Sequence, residues 1–282
     1  MSENSTFTAA LIQTCTSRDV DRNLREIGAM IRDAAAAGAH YIQTPEVTTV
    51  LETDSKRMPD VIKPEQDNPA LAHYPDLAKE LGIWLHIGSM AVTTDEPRYA
   101  NRAYLFAPTG QIAARYDKIH MFDVEIGEGQ SYRESKRYAP GKSAVLASLP
   151  WAKLGMTICY DMRFPALYRE LAQAGAEILA VPSSFTVPTG KAHWHTILRA
   201  RAIENQCFVL AAAQAGDHEC GRQTYGHSIA ISPWGEILAE ADGDTPGFIS
   251  AEIDLSEVTK ARGRIPSLTN DQPFDITRTE LI

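Results

Sequence analysis

One pattern occurs twice in this chain. Ala37-Gly-Ala-x-x-Ile-x-x-Pro45 returns as Ala174-Gly-Ala-x-x-Leu-x-x-Pro182. Each copy reads as a helix end, a glycine that stops it, a short buried strand and a proline that closes the strand. No other feature constrains the fold as much. It predicts two similar halves, each a helix feeding a strand, with both strand ends facing one cleft.

The flanking sequence fits that frame. Val20, Leu24, Ile27, Ile31 and Ala35 recur at intervals of three and four, an amphipathic helix leading into the first copy. Residues 165–174 lead into the second in the same way. Further helices are expected at 71–81, 191–204 and 255–263. Strands are expected at 7–13, 41–46, 83–92, 102–106, 112–116, 144–149, 154–158, 177–182, 207–214, 227–232, 236–240 and 248–254. Residues 47–69, 119–143 and 215–226 are polar and read as loops. Strand–helix alternation with added hairpins predicts an α/β protein whose mixed sheets are covered by helices. No stretch has the composition of a linker. One domain over 1–282 is therefore expected, with a core at about 7–254 and a C-terminal helix and tail at 255–282.

Charge and cysteine usage narrow the class. Lys and Arg number 27 against 36 Asp and Glu, a net charge of -9, which disfavours nucleic acid and anionic membrane as partners. No apolar run approaches the roughly 20 residues of a membrane span. The opening Met1-Ser-Glu-Asn-Ser-Thr lacks the basic and apolar segments of a secretory signal. Cys15, Cys159, Cys207 and Cys220 are irregularly spaced, with no Cys-x-x-Cys pair. Neither a zinc site nor a disulfide framework is indicated, and a reducing, cytoplasmic setting is expected.

No cofactor or metal is expected either. Pro140-Gly-Lys-Ser143 lacks the earlier glycine of a phosphate loop, since Lys136 stands there. Gly127-x-Gly129 lacks the third glycine of a dinucleotide loop. His193 and His195, two apart on a helix, do not face the same way.

Chemistry is expected where predicted strands end. Glu46, Lys118 and Cys159 each close an apolar run. Alone, the first two read as solvated charges and the third as an ordinary buried thiol. Together they complete an acyl-transfer site. A thiol needs a base, which a glutamate supplies. Attack on a carbonyl or nitrile carbon builds negative charge, which an ammonium and backbone N–H groups stabilise.

The three motifs, Thr44-Pro-Glu46, Tyr116-Asp-Lys118-Ile-His120 and Gly155-Met-Thr-Ile-Cys159-Tyr-Asp-Met-Arg-Phe-Pro165, resemble those of the nitrilase superfamily of carbon–nitrogen hydrolases. The likeness runs over roughly residues 7 to 268. It implies a four-layer α-β-β-α sandwich with two mixed sheets and a Glu-Lys-Cys triad. Glu46 would be the general base, Lys118 the oxyanion stabiliser and Cys159 the nucleophile. Glu134 matches the second glutamate of the family, holding the lysine and the substrate amide. Glu125 and Glu128 read as solvated loop charges.

His120-Met-Phe-Asp-Val-Glu125, Ala192-His-Trp194, Leu198-Arg-Ala-Arg-Ala-Ile-Glu204 and Tyr225-Gly-His-Ser228 with Pro233-Trp-Gly235 resemble the small-amidase branch. That branch holds deaminated-glutathione amidases and omega-amidases. Leu171-Ala-Gln-Ala-Gly-Ala-Glu-Ile178 and Ala211-Ala-Ala-Gln214 favour the former.

The resemblance implies hydrolysis of a primary amide of a small acidic molecule through a cysteine thioester, releasing ammonia. Omega-amidase, carbamoylase, nitrilase, acyltransferase and a non-catalytic binding protein are the alternatives. Tyr160 would add a backbone N–H, and Arg163 is the best candidate for the arginine an acidic substrate needs, with a structural ion pair under the helix as its other reading. His193 and Trp194 would shape the pocket rim. A small-molecule amide and a homodimer or higher homo-oligomer are the expected partners.

Overall fold

The computed structural model describes residues 6–126 and 131–279. The chain opens with β1 (Thr6–Gln13), α1 (Val20–Ala36) and β2 (Tyr41–Gln43). A short α2 (Met58–Val61), α3 (Pro69–Leu81) and β3 (Trp84–Val92) follow. β4 (Ala100–Phe106) and β5 (Ile112–Asp117) pair as a hairpin, and β6 (Asp123–Glu125) with β7 (Ser131–Arg133) as a small ribbon. The second half runs through β8 (Val145–Ser148), β9 (Lys153–Met156), α4 (Pro165–Gln173), β10 (Ile178–Ala180), α5 (Val187–Asn205) and β11 (Phe208–Ala211). A second ribbon, β12 (Ala215–Asp217) and β13 (Gln223–Tyr225), precedes β14 (Ile229–Ile231), β15 (Ile237–Glu240), β16 (Gly247–Asp254) and α6 (Ser256–Arg264).

Two six-stranded sheets result, ordered β16-β1-β2-β3-β4-β5 and β15-β14-β11-β10-β9-β8. In the first, β1, β2 and β3 are parallel. In the second, β9, β10 and β11 are parallel. Antiparallel strands flank each trio. The sequence repeat thus maps onto matching central strands, β2 and β10. Their closing prolines meet across the sandwich at Gly88. A Cβ there would stand 2.1 Å from Thr44 O and 2.4 Å from Pro182 Cβ, so only glycine permits the approach.

Alternation along β1 shows how the layers form. Phe7, Ala9 and Leu11 face the second sheet, packing with Leu154, Met156, Ile178 and Val209. Ala10 and Ile12 face outward, under Leu24, Ile27 and Ile31 of α1 and Tyr74 and Leu77 of α3. Helices α4 and α5 cover the other sheet through Tyr168, Leu171, Trp194 and Leu198. The architecture is an α-β-β-α sandwich. Asp19 caps α1, accepting from Arg22 N at 2.9 Å, and Asn68 caps α3, accepting from Ala70 N at 3.0 Å.

The structure departs from the sequence reading in the polar stretches. Residues 47–69, 119–143 and 215–226 carry a short helix, a ribbon and a second ribbon in place of plain loops. Strands of three residues are too short to show an alternation. Helix α5 begins at Val187, ahead of the expected 191, with Pro188 in its first turn, where a missing N–H costs nothing. β2 stops at Gln43 and β9 at Met156, so Glu46 and Cys159 lie in the turns beyond the strands.

Candidate active site

Both of those turns are bent. Val47, next to Glu46, has φ 56°, and Cys159 has φ 48°. Left-handed backbone costs a non-glycine residue roughly 1–2 kcal/mol. Local bonds hold the geometry. Val47 N donates to Ser89 Oγ at 3.0 Å and Thr48 N to Ser89 O at 2.9 Å. Cys159 N donates to Pro182 O at 2.9 Å, and Cys159 opens a short 3-10 turn, Cys159–Arg163.

Lys118 follows β5 directly and is 2% exposed. Its Nζ donates to Glu46 Oε1 at 2.8 Å and to Glu134 Oε1 and Oε2 at 3.1 and 2.9 Å. Glu134 is brought there by the β6–β7 ribbon and also accepts from Phe122 N at 2.6 Å. Gly141 lets the chain close over this strand end, because a Cβ there would lie 2.1 Å from Asp117 O. Glu46 Oε2 accepts from Ser184 N at 2.9 Å, and Gln214 Nε2 donates to Glu46 O at 3.0 Å.

Three residues that sequence patterning left unmarked complete the frame. Asn101 Nδ2 donates to both glutamates, at 3.0 Å to Glu46 and 3.3 Å to Glu134. Asp161 is fully buried and accepts from Ile158 N, His120 N, His120 Nδ1 and the Tyr116 hydroxyl at 2.7–3.0 Å. Arg222 donates through Nη2 to Ser184 O at 2.6 Å. Asn101 sits inside a strand, where asparagine is disfavoured, and that was the one available signal.

Electrostatics follow from burial. Burial pushes the Glu46 carboxyl up, but the Lys118 ammonium and Arg222 more than offset this and hold it below its ordinary value. Burial alone would lower Lys118, yet Glu134 and Glu46 keep it well above the usual range. Burial and the Glu46 charge push the Cys159 thiol up, beyond what Lys118 recovers. The resting site therefore holds the Glu46 carboxylate, the Lys118 ammonium and a neutral Cys159 thiol.

One cavity of about 560 Å3 is lined by Glu46, Lys118, Glu134, Cys159 and Tyr160. The expected arginine is elsewhere. Arg163 does not line this cavity; its guanidinium packs over Phe185 at 5.3 Å and Tyr160 at 6.0 Å, with His193 Nδ1 3.3 Å away. Arg163 ends the 3-10 turn that Cys159 opens, and four positions along a 3-10 turn point in a different direction from four along an α-helix. His193 does not line the cavity either. Trp194 is wholly buried, donating to His227 O at 2.9 Å and packing on Phe185 at 5.2 Å, so it supports the wall from behind. The cavity's arginines are Arg133, Arg137 and Arg222.

Glu125 pairs with Arg133 at 2.5 Å, and Glu128 and the Gly127-x-Gly129 segment lie outside the described residues. Cys207 is buried, while Cys15 and Cys220 are half-exposed. No helix among the described residues is long and apolar enough to cross a membrane.

Residues 8–263 match the Carbon-nitrogen hydrolase family. The chain belongs to that family. It is 38% identical over 266 residues to a deaminated glutathione amidase of Yersinia enterocolitica, covering 93% of this chain and 92% of that one. Its fold matches the NitFhit protein of C. elegans with a TM-score of 0.87 and 34% identity, over 95% of this chain and 65% of that one. It also matches a Saccharomyces cerevisiae member of branch 10 of the nitrilase superfamily, with a TM-score of 0.82 and 26% identity, over 95% and 96% of the two chains. This carbon–nitrogen hydrolase is therefore an amidase-type enzyme on the nitrilase fold.

Proposed function

We propose that the enzyme hydrolyses deaminated glutathione at the amide of its former γ-glutamyl group. The observation that carries the chemistry is the contact of Lys118 with both Glu46 and Glu134 in the cavity that holds Cys159. The name of the Yersinia relative supports the substrate.

In this reading Glu46 takes the Cys159 proton as the sulfur attacks the amide carbon. The oxyanion lies between the Lys118 ammonium and the Tyr160 N–H. Collapse breaks the C–N bond, Glu46 returns the proton to the leaving nitrogen, and a thioester remains on Cys159. Water, deprotonated by Glu46, then releases the acid and frees the thiol. Glu134 holds Lys118 in place. The amides of deaminated glutathione join carbon to an amine nitrogen, so the second product on this substrate is an amine, in contrast to the ammonia expected of a primary amide.

A homodimer in a reducing, cytoplasmic setting completes the reading. Exposed Ile203, Trp234 and Ile265 support a paired surface, and four free cysteines support the compartment. Mass spectrometry of reactions with deaminated glutathione, α-ketoglutaramate, a simple nitrile and an N-carbamoyl amino acid tests the substrate. Turnover of deaminated glutathione at least about tenfold above the others is expected. Preference for α-ketoglutaramate would transfer the assignment to the omega-amidase reading.

A further inference from the structure

Two cations act on the carboxylates at the cavity floor. Glu46 and Glu134 share the ammonium of Lys118, and Arg222 adds the second positive charge felt by Glu46. A substrate with an anionic acyl chain would be repelled there without that second cation. Glu52, also in the lining, is already bridged to Arg18 at 2.7 Å and Arg57 at 3.2 Å.

We propose that Arg222 determines specificity by binding a carboxylate at the far end of the substrate's acyl chain, a role that rests on the amide-hydrolase reading above. The β12–β13 ribbon carries Arg222 to the site. Tyr225 N donates to Phe185 O at 2.9 Å, and Thr186 bridges to Thr224, so the ribbon is seated on the wall next to Ser184. Arg222 Nη2 then binds Ser184 O at 2.6 Å, while Ser184 N binds the base Glu46 at 2.9 Å. The guanidinium is thereby fixed one residue from the reacting groups.

Its Nε is buried and has no hydrogen-bond partner among the described residues. An unsatisfied buried donor costs about 1–3 kcal/mol, and a bound carboxylate would satisfy it. The ring centre of Tyr132, from the facing ribbon, lies 5.7 Å from the guanidinium carbon, within cation–π reach. A mere clip to Ser184 O would need one N–H, whereas a guanidinium offers a planar fork matched to a carboxylate.

The other cations of the cavity are placed differently. Arg133 is bound to Glu125 at 2.5 Å, and Arg137 to Thr53 O at 2.7 Å. Both are exposed at the mouth, as is Lys136. Charges in water attract an anion toward the opening but discriminate weakly. Arg222, half-buried, is the cation placed to read the chain.

Calorimetric titration of the full-length Cys159→Ala protein tests this, because it measures binding without turnover. The probes are glutarate monoamide and pentanamide, which differ by a tail carboxylate against a methyl group. The parent protein should bind the monoamide roughly 10- to 100-fold more tightly. Adding Arg222→Gln should erase that preference, and Arg222→Lys should keep part of it.

No preference in the parent, or equal weakening of both probes by Arg222→Gln, overturns the assignment. If the cysteine enzyme turns over no amide and the preference persists, the proposed function fails and Arg222 keeps its role. If amides are turned over and the preference is absent, the role of Arg222 fails alone.

Discussion

The Tyr116 hydroxyl donates a 2.7 Å hydrogen bond to Asp161 Oδ2, tying the strand that delivers Lys118 to the turn that carries Cys159. The two catalytic candidates come from different sheets, and Asp161 joins them, since it also binds His120 two residues past Lys118 and Ile158 just before Cys159. Asp161→Asn replaces one acceptor oxygen with an N–H that faces the donor Ile158 N. A buried donor left without an acceptor costs about 1–3 kcal/mol. Urea denaturation should show that loss, and kcat should fall roughly 10- to 100-fold through misplacement of Cys159 against Lys118. Wild-type kcat in a measurably destabilised variant would separate the tie from catalysis.

Cys159→Ala should abolish turnover while leaving the fold intact, because a buried thiol gives way to a smaller apolar group. Glu46→Gln keeps the shape but removes the base, and kcat should drop about 100- to 10,000-fold. Single-turnover mass spectrometry of the wild type should capture an acyl adduct on Cys159. Absence of the adduct, together with measurable turnover by Cys159→Ala, would falsify the covalent route.

Stability should rise with pH up to the ordinary imidazole value of 6.5, because burial holds His86, His73 and His218 below it, and should then be flat up to the ordinary thiol value of 9.0. Glu46 is held below 4.5, so its contribution is complete above that value and is lost as pH falls through the depressed one. Cys159 is held above 9.0, so above that pH the unfolded chain sheds a proton the folded chain keeps, and stability declines. Lys118 acts in the same direction, its contribution being present below 10.5 and lost as pH rises through its higher folded value. Melting temperatures across this range check the plateau, and a slope between about pH 7.5 and 8.5 would count against these assignments.

Arg163→Ala should change KM for an anionic amide by less than about threefold. Its guanidinium packs on Phe185 and Tyr160, and such exposed stacking is worth about 0.5–1 kcal/mol of stability. Steady-state kinetics beside Arg222→Gln checks the contrast. A KM effect at Arg163 equal to that at Arg222 would return the substrate carboxylate to Arg163.

How far the sequence reached can be judged residue by residue. The helix over 20–36 was legible because Leu24, Ile27 and Ile31 repeat at the helical period and Gly38 follows. The doubled Ala-Gly-Ala to proline pattern marked β2 and β10 because both strands are buried on two faces and need continuous apolar residues. Both ribbons were hidden, since three residues carry no period. The catalytic candidates could be read as types at strand ends. Their partners Asn101 and Arg222 could not, because each acts through residues distant in the chain, and the ties of Asp161 to Tyr116 and His120 were hidden for the same reason.

The sequence by itself determined the α/β alternation, the duplicated half and the acyl-transfer chemistry open to Glu46, Lys118 and Cys159, since composition, period and side-chain chemistry are local properties. Tertiary structure alone decided that Asn101 joins Glu46 and Glu134 at 3.0 and 3.3 Å and that Arg222 lines the cavity where Arg163 was expected. Those outcomes depend on which turns leave which sheet and in what direction, and local sequence does not encode direction.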